Sequence, residues 1–199
     1  MLKDFTTAFR PAIVLTILFA ALLGIAYPAA LTGVGQLAFS HQANGSLIVE
    51  GGQVRGSELL GQGFASPDYF HGRPSAAGAN GYDASASAGS NLGPASQALS
   101  DRVAKDVATI RTAPGNSVPA DLVTTSASGL DPDISPEAAL YQVARVAGAR
   151  GASADKVRAI VQAHVEHPLL GFLGEDRVNV LALNRDLDKQ VPKGAQATR

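Results

Sequence analysis

The chain has 199 residues, of which 46% are hydrophobic and 17% are charged, and its formal net charge is -1. Soluble domains average roughly 25% charged residues, so part of this chain is expected to lie away from water. The near-neutral charge gives no basic footprint for nucleic-acid binding. Because the sequence contains no cysteine, disulfide frameworks and thiolate metal sites are excluded.

The first forty residues contain one long apolar segment. No charged residue occurs between Pro11 and Ser40, and about 20 helical residues are enough to cross the hydrocarbon core of a bilayer. This length predicts a transmembrane helix over residues 11–33. It would follow a cytoplasmic N-terminus, residues 1–10, and precede an extracytoplasmic domain, residues 34–199.

A cleaved signal peptide is the alternative interpretation of this segment, with Lys3 and Arg10 as its basic region and residues 24–26 as its cleavage site. The apolar run continues beyond that site, which favours a permanent anchor. After the two cations, the next Lys or Arg is Arg55. The positive-inside rule therefore predicts a cytoplasmic N-terminus and an external domain. Small residues in the span would allow close packing of a second helix: Ala20, Ala21 and Gly24.

The rest of the chain predicts a mixed α/β domain, so the expected fold class is α+β. Two short apolar runs around Gly51-Gly52 predict a hairpin. Apolar residues at spacings of three and four then predict a helix that begins after Ser90 or Asn91 and ends at residues 114–115. Residues 121–125 have the character of a strand.

Two further helices have clear start signals. Ser135 followed by Pro136 predicts a helix N-terminus, and Gly151 predicts the end of that helix. Ser153 is the predicted cap of the next helix, which Pro168 would terminate. Both helices carry apolar residues along one face, as expected for helices that pack on a core.

The C-terminal part is predicted to contain one strand and one short helix. The apolar run Val178–Asn184 is typical of a buried strand. Asn184 would then cap a short helix over residues 185–191. Together these elements give three or four helices and a few strands in one domain after the membrane span.

Three neighbouring residues, His164, Glu166 and His167, have the chemistry of metal ligands. Metal sites usually need at least three ligands held close together. His164 falls on the apolar face of its helix, and His71 is only a distant further ligand. The S-x-x-K pattern beginning at Ser153 lacks the companion motifs of the serine acyl-enzymes. We therefore predict neither a metal site nor a catalytic site.

Four long segments carry a family resemblance. They are GSELLGQGFASPDYFHGRPSAAG, YDASASAGSNLGP, PADLVTTSASGLDPDISPEAALYQVARVAGARG and HVEHPLLGFLGEDRVNVLALNRDLD. In this order, and over most of the chain, they resemble the C subunit of the Kdp-type potassium-transporting P-type ATPase. The resemblance implies a non-catalytic accessory subunit in the bacterial inner membrane. It would be needed for assembly and stability of an ATP-driven high-affinity potassium uptake pump.

The resemblance also implies the partners. A channel-like A subunit carries the potassium filter, and a B subunit hydrolyses ATP through a phosphorylated aspartate. ATP and potassium then belong to the complex, and no tightly bound cofactor is expected in this chain. The lipid bilayer is a further partner. A membrane-anchored or secreted binding protein or hydrolase remains the alternative function.

One proposal for the family is a catalytic chaperone that raises the ATP affinity of the B subunit. In that proposal a glutamine matching Gln142 contacts the nucleotide. The cations nearest to Gln142 on its predicted helix are Arg145 and Arg150, one and two turns further on. The predicted topology places Gln142 outside, where ATP is absent, and a triphosphate site needs clustered donors. The residues themselves therefore favour packing or a subunit interface for Gln142.

The segment from Ser75 to Ser96 contains sixteen Ala, Gly or Ser residues among twenty-two. Such a composition is typical of a flexible linker. Aromatic and hydrogen-bonding residues within and beside it instead predict an ordered loop that packs against the A subunit. Packing of the aromatic residues in the domain's own core is the alternative. The interface candidates are Tyr69, Phe70, Arg73, Tyr82 and Asn91.

Overall fold

The computed structural model describes residues 2–113 and 115–192. It divides into two compact units, one that ends at Arg55 and one that begins at Gly56. The first contains a long apolar helix, and the second contains most of the helices and a three-stranded sheet. The predicted α+β fold class, with one N-terminal apolar helix before a mixed domain, is confirmed.

The N-terminal apolar segment is helical throughout. Helix α1 (Leu2–Ala21) runs into a π-helical turn (Leu22–Ala26), and α2 (Tyr27–Ala38) follows without a break. Within the part of the chain that the structure describes, the stretch Thr7–Ala38 is long and apolar enough to cross a membrane. The span predicted for residues 11–33 lies inside this stretch.

The π-helical turn has a local cause in Pro28. Proline lacks an N–H group, and its ring clashes with the carbonyl four residues earlier, that of Gly24. The N–H of Tyr27 bonds to the carbonyl of Leu22, five residues back, so the turn holds one extra residue. The helix can therefore pass Pro28 and continue to Ala38.

A hairpin follows the apolar helices. After the short helix α3 (Ser40–Ala43), strands β1 (Leu47–Glu50) and β2 (Gln53–Ser57) form a two-stranded sheet. Gly51 and Gly52 connect the strands, which confirms the hairpin predicted at that position.

Helix α4 (Gln97–Ile110) begins later than predicted, and the expected cap at residues 90–91 is wrong. Ser96 occupies the N-cap position instead. The reason is local, because Pro94 disfavours helical geometry in the residue before it. Pro114, the predicted end of this helix, lies outside the described residues.

The strand predicted for residues 121–125 is also wrong. A single 3-10 turn occupies Ala120–Leu122, directly after Pro119. The carboxylate of Asp121 accepts a hydrogen bond from the backbone N–H of Ser135 at 2.7 Å. This side chain thus fixes the start of the next helix, and the segment has no neighbouring strand in the described structure.

Helices α5 (Pro136–Arg150) and α6 (Ala154–Ala163) confirm their predicted start signals. The hydroxyl oxygens of Ser135 and Ser153 each accept a backbone N–H from the first turn, at 3.2 and 3.3 Å. Helix α5 ends as predicted at Gly151, which adopts a left-handed conformation. The two helices pack against each other.

A small antiparallel sheet lies beside these helices. It contains β3 (Asp133–Ile134), β4 (Val165–Glu166) and β5 (Arg177–Asn179), with β5 in the middle. Helix α6 ends at Ala163 rather than at Pro168, because the chain enters β4 directly after it.

The C-terminal prediction of a strand over Val178–Asn184 is wrong for most of its length. The strand stops at Asn179, whose side chain caps helix α7 (Val180–Gln190) by accepting the N–H of Ala182 at 3.0 Å. By its pattern alone, a short apolar run is compatible with a buried strand or with a helix. Here the cap formed by Asn179 starts a helix. Asn184 lies inside α7 and does not cap it.

The core lies between α5, α6, α7 and the sheet. Phe70 is the largest of the fully buried side chains and comes from the long segment between β2 and α4. The other large side chains that are fully buried are aliphatic or amide side chains of the helices and β5: Val146, Val157, Val161, Val178, Leu183, Asn184 and Leu187.

Candidate functional site

The segment between β2 and α4, residues 58–96, contains neither helix nor strand. Connections of this length in compact domains are usually functional or disordered. Here the backbone of Pro67–His71 is held by side chains of α5 and α7. We call these five residues the clamped segment.

Asn184 of α7 forms a reciprocal pair with the backbone of Phe70. Its Oδ1 accepts the Phe70 N–H at 2.8 Å, and its Nδ2 donates to the Phe70 carbonyl at 2.9 Å. Asn184 is 1% exposed. The side chain therefore replaces a neighbouring strand, because it exchanges both hydrogen bonds with one residue as a paired strand does.

Gln142 of α5 repeats this arrangement one residue later. Its Oε1 accepts the His71 N–H at 2.9 Å, and its Nε2 donates to the His71 carbonyl at 3.0 Å. Nε2 also donates to Ala138, and Oε1 also accepts from Arg145 at 2.6 Å. An amide side chain has two donors and two acceptor sites, so the hydrogen-bonding capacity of Gln142 is used within the chain.

Arg145 holds the beginning of the clamped segment. Its Nη1 donates to the carbonyls of Pro67 and Tyr69 at 2.6 and 3.0 Å, and its Nη2 donates to Gln142. Burial lowers the pKa of the Arg145 guanidinium, and Asp68 opposes this shift. The guanidinium is thus committed to carbonyl oxygens of its own chain.

Arg150 is the most buried cation of the site, with 0% of its side chain exposed. Its Nε donates to Asp68 O at 2.7 Å, its Nη1 to Val191 O at 2.7 Å, and its Nη2 pairs with Asp188 at 2.8 Å. Its guanidinium carbon also lies 5.0 Å from the centre of the Tyr69 ring, within cation–π range. A buried charge needs such pairing, so Arg150 fixes the clamped segment to the C-terminal end of α7.

His71 ends the clamped segment, and its ring nitrogen Nε2 lies 3.0 Å from the Ser66 carbonyl. Burial lowers the pKa of His71; the Ser66 hydrogen bond opposes the shift, and Arg145 adds to it. The imidazole is therefore neutral at pH 7, and its Nε2 donates to the carbonyl.

The small-residue stretch after the clamped segment is ordered by close backbone contacts. The Ser75 hydroxyl donates to the Gly129 carbonyl at 2.5 Å and accepts the Tyr82 N–H at 2.7 Å. The Ala88 N–H donates to the Ser128 carbonyl at 3.0 Å. These contacts require small side chains on both segments, which explains why Ala, Gly and Ser predominate here.

Two predicted interface residues take part in this packing. Arg73 pairs with Asp131 at 3.2 Å and donates to the Thr124 carbonyl at 3.3 Å. The Tyr82 hydroxyl donates to the Arg73 carbonyl at 2.5 Å. Burial raises the pKa of Tyr82, and the charge of Asp131 raises it further, so the phenol remains a donor at neutral pH.

Among the five interface candidates, Phe70 is 0% exposed and packs in the core of this domain, which is the alternative that the sequence left open. Tyr69 is half-buried, with its hydroxyl on Asp188 at 2.8 Å. Asn91 is exposed and has a positive φ of 52°. Contact of these residues with a partner stays a prediction.

The residues predicted for helix packing in the membrane are exposed, and a Cβ added at Gly24 would meet nothing within 4 Å. In the described structure, no other element covers the helix face formed by Ala20, Ala21 and Gly24. A contact with a second helix at this face stays a prediction.

The residues with metal-ligand chemistry are engaged elsewhere. His167 pairs with Asp176 at 2.8 Å, and Glu166 pairs with Arg177 at 2.9 Å. His164 contacts the Ile160 carbonyl. Over residues 2–113 and 115–192, no group of three His, Cys, Asp or Glu could hold a metal ion.

A cavity of about 370 Å³ lies beside the clamp. His71, Gln142 and Arg145 line it. Its less polar wall includes Ile110 of α4, Leu122 of the 3-10 turn and Tyr141 of α5. Arg145 is the one Lys or Arg in this described lining, and its guanidinium already binds carbonyls. The cavity therefore has no cluster of cations for a triphosphate.

Comparison with known proteins gives matches over nearly the whole chain. A family model described as "K+-transporting ATPase, c chain" matches residues 9–189. Three similar relatives are each named potassium-transporting ATPase KdpC subunit. The protein from Caulobacter vibrioides is 61% identical over 185 residues, covering 92% of this chain and 93% of the relative. Those from Variovorax paradoxus (57% over 182 residues, 90% and 94% covered) and Rhodopseudomonas palustris strain TIE-1 (51% over 196 residues, 92% and 98% covered) are similar throughout.

Proposed function

The chain belongs to the family of the K+-transporting ATPase c chain, and from this we propose that it assembles and stabilises the pump as an accessory subunit. It is a subunit of the potassium-transporting ATPase and not the catalytic chain. Its partners are the potassium-channel-like A subunit and the ATP-hydrolysing B subunit. ATP and potassium bind at the level of the complex.

The main observation in support of this proposal is that Gln142 makes its hydrogen bonds within its own chain. All four of its hydrogen-bonding positions are occupied by its own chain, and Arg145 is occupied in the same way. A nucleotide contact at Gln142 would require the clamp to open. A rigid clamped segment instead suits a domain that offers a fixed surface to partner subunits, because a preorganised surface loses less conformational entropy on binding.

The proposed location is the bacterial inner membrane, with one span and a cytoplasmic N-terminus. The cations Lys3 and Arg10 precede the uncharged apolar run that begins at Pro11, and the next cation along the chain is Arg55. The positive-inside rule then directs the second unit to the outer face. Any effect on the ATP affinity of the B subunit would therefore pass through the other subunits.

The first test separates assembly from nucleotide contact. The full chain carrying Gln142→Leu is co-expressed with the A and B subunits, and the amount of assembled pump and its KM for ATP are measured. We expect less assembled pump, because the half-buried His71 N–H and carbonyl lose their partners, and an unchanged KM in the pump that does form. Gln97→Leu, which alters an exposed amide, is the control. Normal assembly with a raised KM would support a direct nucleotide contact and contradict the proposal.

The second test concerns topology. A cysteine introduced at Ser100, an exposed position on α4, is treated in intact cells with a membrane-impermeant thiol reagent. The chain has no other cysteine, so the signal has one source. We expect labelling from outside. Labelling that requires disruption of the inner membrane would reverse the orientation.

The third test concerns the membrane contact. In Gly24→Leu, a large side chain covers the small-residue face of the span, and we expect less co-purification with the A subunit. Leu18→Ala, on the same helix, is the control for a general change in the span. Unchanged assembly of Gly24→Leu would exclude this face as a contact.

A further inference from the structure

The connection between β4 and β5 carries an exposed apolar group, which we call the apolar tip (Pro168–Leu173). Four large side chains point to solvent, with exposed fractions of 71%, 74%, 71% and 55%: Leu169, Leu170, Phe172 and Leu173. Single exposed apolar residues are common on soluble proteins, whereas contiguous groups mark interaction sites.

The apolar tip has a defined backbone. The Gly171 N–H donates to the Pro168 carbonyl at 3.0 Å, and the Leu173 N–H donates to the Leu169 carbonyl at 3.2 Å. Leu169 and Leu173 also form an antiparallel bridge. Leu170 has a φ of +58°, which is an outlier for a bulky residue. The turn is thus preformed with its leucines outward, as a docking element requires.

The base of the apolar tip is acidic. His167 pairs with Asp176 and Arg177 pairs with Glu166, at 2.8 and 2.9 Å, and Glu175 adds a further exposed carboxylate. Three carboxylates, those of Glu166, Glu175 and Asp176, thus lie beside Arg177 and His167 at the base of the tip. An apolar centre inside a charged rim is the anatomy of a protein interface.

We propose that the apolar tip docks into an apolar groove with a Lys- or Arg-rich rim on another subunit of the pump. This inference rests on the proposed accessory function and names a surface that would serve it. A basic rim complements the carboxylates around the tip. An anionic bilayer surface would repel them, and a second copy would bring two acidic rims together in a symmetric contact.

The partner is identified by cross-linking in the assembled pump. A photo-reactive phenylalanine derivative replaces Phe172 in the full chain, which is co-expressed with the A and B subunits. The same derivative at Ser100 on α4 is the control. We expect a strong adduct with the A or B subunit from position 172 and little from position 100. An adduct with a second copy, an adduct with lipid, or no adduct would overturn the proposal.

The energetic test uses the double variant Leu169→Ser and Phe172→Ser. Both side chains are exposed, so the melting temperature of the chain in detergent should stay the same while the yield of intact pump falls several-fold. Leu59→Ser, at an exposed leucine (62%) in the same unit, should leave the yield unchanged. Glu175→Lys should also lower the yield, because it places a cation against the basic rim.

The outcomes separate this proposal from the accessory function itself. If the pump assembles fully when the chain is omitted, the accessory function is wrong. If omission prevents assembly but the double variant assembles normally, the accessory function stands and the tip proposal is wrong. If instead the photo-reactive group at position 172 forms an adduct with phosphatidylethanolamine or phosphatidylglycerol and the double variant assembles normally, the tip binds the bilayer and the proposal is also wrong.

Discussion

The clamped segment and the apolar tip are two loops of the same unit, and the structure of each differs from what its amino-acid composition suggests. The first leads into a stretch of Ala, Gly and Ser, yet it is fixed by side chains from two helices. The second is rich in Leu and Phe, yet its side chains are exposed. Loop order here follows from where the backbone hydrogen bonds go rather than from hydrophobicity.

The difference lies in what each loop binds. The clamped segment receives donors and acceptors from Gln142, Arg145, Arg150 and Asn184, and it contributes one aromatic side chain to the core. Among the described residues, the apolar tip is held by short-range hydrogen bonds of its own backbone. The first is therefore part of the core, and the second is a surface available to a partner.

The sharpest test of this comparison replaces a phenylalanine in each loop. Phe70→Ala should lower the free energy of unfolding by about 3–5 kcal/mol, because it leaves a cavity in the core. Phe172→Ala, at a side chain that is 71% exposed, should change it by less than about 0.5 kcal/mol. Urea unfolding of the full chain in detergent, followed by circular dichroism, measures both. Similar losses for the two variants would contradict the division into core and surface.

A second prediction tests the side-chain clamp itself. Asn184→Leu keeps the branched shape of the side chain but leaves the buried Phe70 N–H and carbonyl without partners, at a cost of about 2–4 kcal/mol. Hydrogen exchange of the Phe70 amide should accelerate along with the loss of stability. Gln190→Leu on the exposed side of the same helix is the control. A slow Phe70 amide in Asn184→Leu would show that the clamp is not what orders this segment.

Much of the fold could be predicted because its signals are local. Ser135 and Ser153 cap their helices as predicted, and Gly151 ends α5. The error at the C-terminus has a physical reason. The sequence pattern predicts Asn184 as the cap, but Asn179, a residue of the same type five positions earlier, caps α7, and Asn184 is buried within the helix.

The site was harder to predict because its contacts are distant in sequence. Asn184 binds a residue 114 positions away, and Gln142 binds one 71 positions away. No spacing rule links such residues, and the sequence left open whether the aromatic residues of the loop face a partner or the core. Gln142 was singled out by family resemblance and Arg145 as a cation close to it, and their internal bonds emerged only from the structure.

A third prediction concerns the close packing beside the small-residue stretch. Gly129 has a φ of +66°, and a Cβ there would lie 2.5 Å from the Ala88 carbonyl oxygen. Gly129→Ala should therefore lower the free energy of unfolding by about 1–3 kcal/mol. Gly93→Ala, which meets nothing within 4 Å, should have almost no effect. Equal behaviour of the two variants in urea unfolding would mean that the stretch is not packed as described.

The fourth prediction is a pH dependence of the clamp. Burial lowers the pKa of His71 in the folded state, so between that pKa and the ordinary value of 6.5 the unfolded chain binds more protons. The free energy of unfolding should thus fall as the pH drops below 6.5. The loss should be smaller than that caused by Gly129→Ala, because the imidazole is only half-buried. His71→Asn should show a shallower dependence on pH in the same unfolding measurement. An unchanged slope would assign the acid sensitivity to other groups.

The smallest effect is expected at the apolar tip, and its sign is the informative part. Leu170 has a positive φ, and this conformation costs a residue with a Cβ roughly 1–2 kcal/mol. Glycine adopts a positive φ without this strain. Its greater conformational entropy in the unfolded chain offsets only part of the stability gained by removing the strain. Leu170→Gly should therefore raise the free energy of unfolding by about 0.5 kcal/mol. Leu173→Gly, whose φ is not positive, should lower it by a similar amount. If Leu170→Gly stabilises the chain but weakens pump assembly, the apolar tip retains a strained leucine because that side chain contacts a partner. The clamped segment differs, because internal hydrogen bonds account for its conformation.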